Sequence, residues 1–201
     1  NLTSTGNVMT NDIDNPPTQV DISSVNYDLE SMTISWEQSN DNDFVSYELL
    51  QSDTENGTYT SVVVITDQST TSHSLTEYDP TQENWFKVKV TDYWNLTSTG
   101  SEMTNQIESI PPTLSELHPI IFANGSFFIS WSKNDDDDFK SYTFYESESE
   151  DMSNQTEIFS TEEISDTSYT ITGMEEKARY YQVVVSDIWG LETPSNVELG
   201  Y

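Results

Sequence analysis

Alternation of apolar and polar positions with a period of two runs through most of this chain. Met32, Ile34 and Trp36 alternate with Thr33 and Ser35, and a matching run sets Phe127, Ile129 and Trp131 against Phe128 and Ser130. Tyr47 and Leu49 stand between polar neighbours, as do Tyr142 and Phe144. Phe86, Val88 and Val90 alternate with Lys87 and Lys89, which predicts a half-buried strand with its cations on the wet side. Turn chemistry separates these runs at Asn56-Gly57, Asp79-Pro80 and Asn124-Gly125. No segment carries a helical period. Short strands between regular turns, about seven to a unit, predict an all-β chain of antiparallel β-sandwiches.

The pattern is written twice. Pro16-Pro17 recurs at Pro111-Pro112, Trp36 at Trp131, Asp43-Phe44 at Asp138-Phe139, Tyr47 at Tyr142 and Trp94 at Trp189, each pair 95 residues apart. A partial third copy stands in front: Asn1-Leu2-Thr3-Ser4-Thr5-Gly6 repeats as Asn95-Leu96-Thr97-Ser98-Thr99-Gly100, and Met9-Thr10-Asn11 as Met103-Thr104-Asn105. The expected organisation is a last-strand segment of a preceding repeat at 1–15, a first sandwich at 16–109 and a second at 110–201. The front segment is either the remnant of an upstream domain or a strand donated to a neighbouring subunit, linking subunits head to tail.

A tryptophan on the second strand (Trp36, Trp131), a tyrosine on the third (Tyr47, Tyr142) and an opening Pro-Pro resemble fibronectin type III modules. Tyr78-Asp79-Pro80 is similar to that family's Leu-x-Pro corner, and Gly190-Leu191-Glu192-Thr193-Pro194-Ser195-Asn196 to its last strand. The resemblance implies tandem fibronectin type III, Ig-like sandwiches over both units. It places the family's corner tyrosine at Tyr180, whose column in the first unit holds Trp85, while the Lys87/Lys89 alternation puts Phe86 on the buried face. The corner is rebuilt, or the register differs by one.

Composition then narrows function. The chain carries 36 acidic and 6 basic side chains, a formal net charge of −30, and no cysteine. That charge excludes nucleic acid and electrostatic docking on anionic membranes as partners. Disulfides, thiolate metal sites and thiol catalysis are excluded with the cysteines. No run reaches the ~18 apolar residues of a membrane span, and no signal segment is expected at the front. The 11 tyrosines and 5 tryptophans argue for a packed core where acidity alone would suggest disorder.

Candidate sites are few. Asn40-Asp41-Asn42-Asp43 and Asp135-Asp136-Asp137-Asp138 follow the tryptophan strands. Such clusters supply the all-oxygen shell that calcium takes, or they are solvated loops. The calcium reading joins Asp41 and Asp43 in the first unit and Asp136 and Asp138 in the second with Glu77, Asp79, Glu83 and the linker residue Glu108, stiffening the junction. Sequons at Asn1, Asn56, Asn95, Asn124 and Asn154 are candidate N-glycan acceptors or ordinary turns. Trp94 and Trp189 are candidates to stack on sugars, or else close a sandwich end. His73 falls in a strand, where a packed or edge role is expected, and His118 precedes Pro119 in a loop; no activated nucleophile is expected near either. No enzyme is expected.

These features suit a structural repeat of an extracellular fibre, stalk or adhesin on a microbial surface: a semi-rigid acidic rod whose partners are copies of itself or neighbouring repeats. The alternative is an accessory carbohydrate- or protein-binding module, or a spacer, attached to a secreted hydrolase.

Overall fold

The computed structural model describes residues 13–173 and 177–201. The chain divides between Ile107 and Glu108 into two compact units. The expected last-strand segment lies, up to residue 12, outside the described residues, as does the sequon at Asn1. Each unit is an all-β sandwich, and no helix among the described residues is long and apolar enough to cross a membrane.

In the first unit, β1 (Ile22–Tyr27), β2 (Met32–Trp36) and β5 (Ser72–Leu75) form one antiparallel sheet in the order β1-β2-β5. The second sheet runs β4-β3-β6-β7, from β3 (Phe44–Ser52), β4 (Thr60–Ile65), β6 (Trp85–Asp92) and β7 (Thr97–Thr99), with β8 (Met103–Thr104) also pairing β6. Alternation decides which faces meet. Met32, Ile34 and Trp36 of one sheet and Tyr47, Leu49, Phe86, Val88 and Val90 of the other form a single buried cluster, while Lys87 and Lys89 stay outside it. On the outer face Lys89 pairs with Glu48 and Lys87 stands over the Tyr59 ring.

The second unit repeats the plan. Its sheets are β9 (Ile121–Ala123), β10 (Ser126–Ser130) and β13 (Ser168–Thr172), ordered β13-β10-β9, and β12-β11-β14-β15. The latter contains β11 (Phe139–Ser147), β12 (Thr156–Thr161), β14 (Arg179–Asp187) and β15 (Glu192–Pro194), with β16 (Glu198–Gly200) beside β14. Even the irregularities recur. The β3–β6 ladder slips between Phe44 and Ser46 and the β11–β14 ladder between Phe139 and Ser141. Bulges are specific features of a strand pair, so their recurrence 95 residues on marks a copied scaffold.

The units differ at their first strands. Proline lacks the N–H that a ladder needs, and Pro119 interrupts the second unit's opening strand. What remains is an isolated bridge from Leu117 to Trp131 followed by the short β9. The β9–β10 hairpin closes through Asn124 and Gly125, both at positive φ (53° and 72°), the signature of the tight turn that Asn-Gly favours.

The last strands differ as well. Gly100 and Ser195 occupy the same place, each donating its N–H to the facing strand, to Val88 and Val183 respectively. A Cβ on Gly100 would lie 2.0 Å from the Val20 carbonyl oxygen. In the second unit, Ser195 has room for a side chain whose Oγ accepts from the Val183 N–H and donates to the Asn196 carbonyl. Asn196 then clamps Leu117 with both halves of its amide, at 2.8 and 2.9 Å.

Burial decides between the two registers left open at the corner. The core position after the corner is Phe86 in the first unit and Tyr181 in the second, both fully buried, whereas Tyr180 is only half-buried. The column is thus Phe86/Tyr181, one residue beyond the position expected from the resemblance.

Candidate functional site

The end of each sandwich that carries the loop after β2 or β10 concentrates the candidate chemistry. Antiparallel pairing fixes which segments share it. Phe44 faces Asp92 and Phe139 faces Asp187, so the β6–β7 and β14–β15 turns lie beside these loops. Met32 pairs with Leu75, which sends the segment after β5, with Glu77, Asp79 and Glu83, to the opposite end of the first unit. There Asp79 caps Thr81 through its N–H and hydroxyl, and Asp79 and Glu83 line an open depression of about 570 Å³ with Asp53 and Asn84.

The loops are braced from below by the repeat tyrosines. Tyr47, fully buried, accepts the Ser39 N–H at 2.7 Å and donates to the Gln68 carbonyl at 3.1 Å. Tyr142 accepts the Asn134 N–H at 2.6 Å and donates to the Ile164 carbonyl at 3.4 Å. A buried N–H left without its acceptor costs about 1–3 kcal/mol. Tyr142→Phe is therefore expected to destabilise the second unit by that amount, read as a lower denaturant midpoint at unchanged slope. A change below 0.5 kcal/mol would show that the hydroxyl is dispensable.

The acidic residues of the loops divide into distinct roles. Asp41 accepts from the Thr18 N–H at 3.0 Å, the Thr18 hydroxyl at 3.3 Å and the Ser39 hydroxyl at 2.9 Å. Asp136 accepts from the Thr113 N–H at 2.6 Å, its hydroxyl at 2.7 Å and the Asn134 amide at 2.9 Å. Both carboxylates therefore clasp the segment after the proline pair to the loop. Partial burial alone would raise the Asp136 carboxyl, but the bonds from Asn134 and Thr113 hold it below its ordinary value. Asp135 pairs with Lys133 at the surface.

Asp43 and Asp138 face another way. Asp43 gathers with Asp14 and Asp92, their ligand atoms all within 4.8 Å of one another. The Asp43 carbonyl accepts the Tyr93 N–H and the Asp138 carbonyl the Ile188 N–H, both at 2.9 Å. The Asp138 carboxyl is pushed above its ordinary value, first by burial and then by the neighbouring charges of Asp187, Asp136 and Glu108. Each turn aspartate uses one oxygen locally. Asp92 Oδ1 accepts from the Trp94 and Leu96 N–H groups, and Asp187 Oδ1 from those of Trp189 and Leu191.

The aromatics over this end differ between units. Trp94 is 64% exposed and meets Tyr93 edge-on at 5.3 Å, whereas Trp189 is half-buried beside Ile188. Asn95 occupies the turn position with φ 64° that Gly190 fills in the second unit. Asn56, Asn95, Asn124 and Asn154 are all exposed; Asn56 and Asn154 lie in the equivalent connections β3–β4 and β11–β12. His73 is half-buried on the edge strand β5 opposite Ile34; His118, contrary to the expectation of no nucleophile nearby, has Nδ1 3.1 Å from the Ser130 hydroxyl, brought there by the Leu117–Trp131 bridge.

Sequence reasoning did not assign a role to Asp14, Asp92 or Asp187. The available signal was the recurrence of an aspartate two residues before Trp94 and Trp189. Its burial follows only from the fold.

Fold and site together define a tandem of immunoglobulin-like β-sandwiches with a polar, loop-built end on each unit. No protein-family model matches the chain, and no curated protein matches it. Among solved structures, the FN1–FN3 domains of chicken CNTN1 are similar over 92% of this chain and 67% of that one, at 13% identity and a TM-score of 0.37.

Proposed function

We propose that the chain is a non-catalytic structural repeat of an extracellular fibre, stalk or adhesin of a microbe, with N-glycans on its exposed loops. The observation that carries this reading is what the duplication repeats. Both copies preserve the tryptophan, the bracing tyrosine, the ladder bulges and the aspartate clasp. All of these hold the scaffold, and a copied scaffold serves extension and spacing. The surplus of 36 acidic over 6 basic groups keeps neighbouring chains from associating non-specifically. The exposure of Asn56 and Asn154 at equivalent connections supports the glycans, since an acceptor must be open to solvent.

Electron microscopy of native material tests the assembly, and filaments containing the chain are the expected result. Intact mass tests the modification. A native mass above the sequence mass, falling after glycan release, is expected; equality with the sequence mass would dismiss the glycans.

A second reading, an accessory carbohydrate-binding module, draws on the exposed Tyr93–Trp94 pair, whose solvent-facing ring surface suits stacking on a sugar. Binding on a glycan array that is lost in Trp94→Ala would favour it. Silent arrays alongside visible filaments would favour the structural role.

A further inference from the structure

Each unit holds a buried aspartate with one idle oxygen. Asp92 is 1% exposed and Asp187 is fully buried. In both, Oδ1 takes two backbone N–H groups of its own turn, while Oδ2 is buried without a hydrogen-bond partner among the described residues. A buried carboxylate oxygen in that state is costly, and an uncharged asparagine would satisfy the same turn. The chain nevertheless places aspartate there in both copies.

More negative charge surrounds the idle oxygen. In the first unit Asp14 and Asp43 converge on Asp92 within 4.8 Å. In the second, Asp138 holds the place of Asp43 by sequence and by its carbonyl bond to the turn. Glu108 precedes Pro111-Pro112 much as Asp14 precedes Pro16-Pro17. The ion pairs of Lys89, Lys133, Lys177 and Arg179 go elsewhere, to Glu48, Asp135, Glu146 and Glu148.

We propose that each unit binds one calcium ion at this end, the first through Asp14, Asp43 and Asp92 and the second through Glu108, Asp138 and Asp187. The donors are carboxylate oxygens without nitrogen or sulfur, which selects a hard cation. Calcium–oxygen distances of about 2.3–2.6 Å let oxygens up to about 5 Å apart share one ion, and the first triad meets that span. Magnesium demands a tighter octahedron at about 2.0–2.1 Å and keeps its own waters. An ion here ties together three segments of one unit: the stretch before the prolines, the loop after the tryptophan strand and the turn before the last strand. It is a site within each unit rather than at a junction, and it holds whether the chain builds a fibre or spaces a binding module.

The test counts calcium on the full chain, stripped with chelator and dialysed against the radiolabelled ion in about 0.15 M salt, which screens diffuse binding to the acidic surface. Two ions per chain are expected for the unmodified protein, one each for Asp92→Asn and Asp187→Asn, and none for the double variant. Asparagine keeps the Oδ1 acceptor of the turn and removes the charge. Calcium is also expected to raise the melting midpoint of the unmodified chain by several degrees and leave the double variant unmoved. Should the buried variants fail to fold, Asp43→Asn and Asp138→Asn at half-buried positions give the same counts. No calcium bound at millimolar concentration, two ions retained by the double variant, or magnesium bound as tightly as calcium would each overturn the assignment.

Discussion

Trp131→Ala is expected to destabilise the second unit by about 3–5 kcal/mol, the range for truncating a large buried aromatic. Trp131 is 2% exposed, meets Tyr142 edge-on at 5.6 Å and stacks over Phe144 at 6.2 Å. Its backbone also bridges to Leu117, so the side chain anchors the only ladder contact that the interrupted first strand makes ahead of Pro119 among the described residues. Truncation leaves a hole between two sheets whose backbones are fixed by their ladders, and such a site relaxes poorly. Hydrogen exchange resolved to peptides checks this: β10 and β11 should lose protection while β2 and β3 keep theirs. Trp36→Ala should give the mirror image, because Trp36 has the same edge-on partner in Tyr47 at 5.8 Å. A loss below about 2 kcal/mol, or one spread evenly over both units, would contradict two separate cores.

Alkaline pH is expected to weaken the second unit more than the first, through Tyr181. This side chain is fully buried, stacks on Phe144 at 5.4 Å, and its hydroxyl has no hydrogen-bond partner among the described residues. Burial, helped by the charge of Glu146 and opposed by that of Arg179, pushes its phenol up to about 12. An unfolded tyrosine titrates near 10. The folded state therefore favours the neutral phenol. The associated stability is fully present below pH 10 and is lost as pH rises through about 12. Two pH units correspond to roughly 2–3 kcal/mol. Tyr181→Phe removes this loss, and at neutral pH it should be neutral or stabilising by up to about 1 kcal/mol, since it deletes a buried hydroxyl that bonds nothing. The first unit already has phenylalanine there, as Phe86. Urea titrations at pH 7 and pH 11 on both chains measure the difference. Equal alkaline losses in the two would show that other tyrosines govern the transition.

Much of the fold was legible because two signals agreed. Alternation around Trp36, Tyr47 and Val88 named the buried face, and the 95-residue echo showed that each run belonged to a copied unit. The corner stayed undecided in the sequence because a family pattern pointed to Tyr180 while alternation from the lysines pointed to Phe86; burial of Phe86 and Tyr181 decides for the lysines. Site chemistry was less legible. A run of four acidic residues does not say which carboxylate clasps a threonine, as Asp41 and Asp136 do, and which turns towards a buried partner. Asp14, Asp43 and Asp92 come from three separate stretches, and only the closing of the sheets brings them within 4.8 Å. Strand order alone was enough to send Glu77 and Asp79 to the opposite end of the first unit, and the β2–β5 pairing agrees.

The bare Cα of Gly100 has a consequence for misfolding between tandem neighbours. Repeat chains are prone to exchanging equivalent strands during folding, because each copy offers the other a nearly identical edge. Here the exchange is asymmetric. A first unit closed by the second unit's last strand would bring Ser195 to the place of Gly100, driving a Cβ to about 2.0 Å from the Val20 carbonyl. It would also lose the bond from the Ser101 N–H to Asp21 at 2.7 Å. A hydrogen atom in place of a hydroxymethyl group thus disfavours closure of the first copy by its sister's strand over closure by its own.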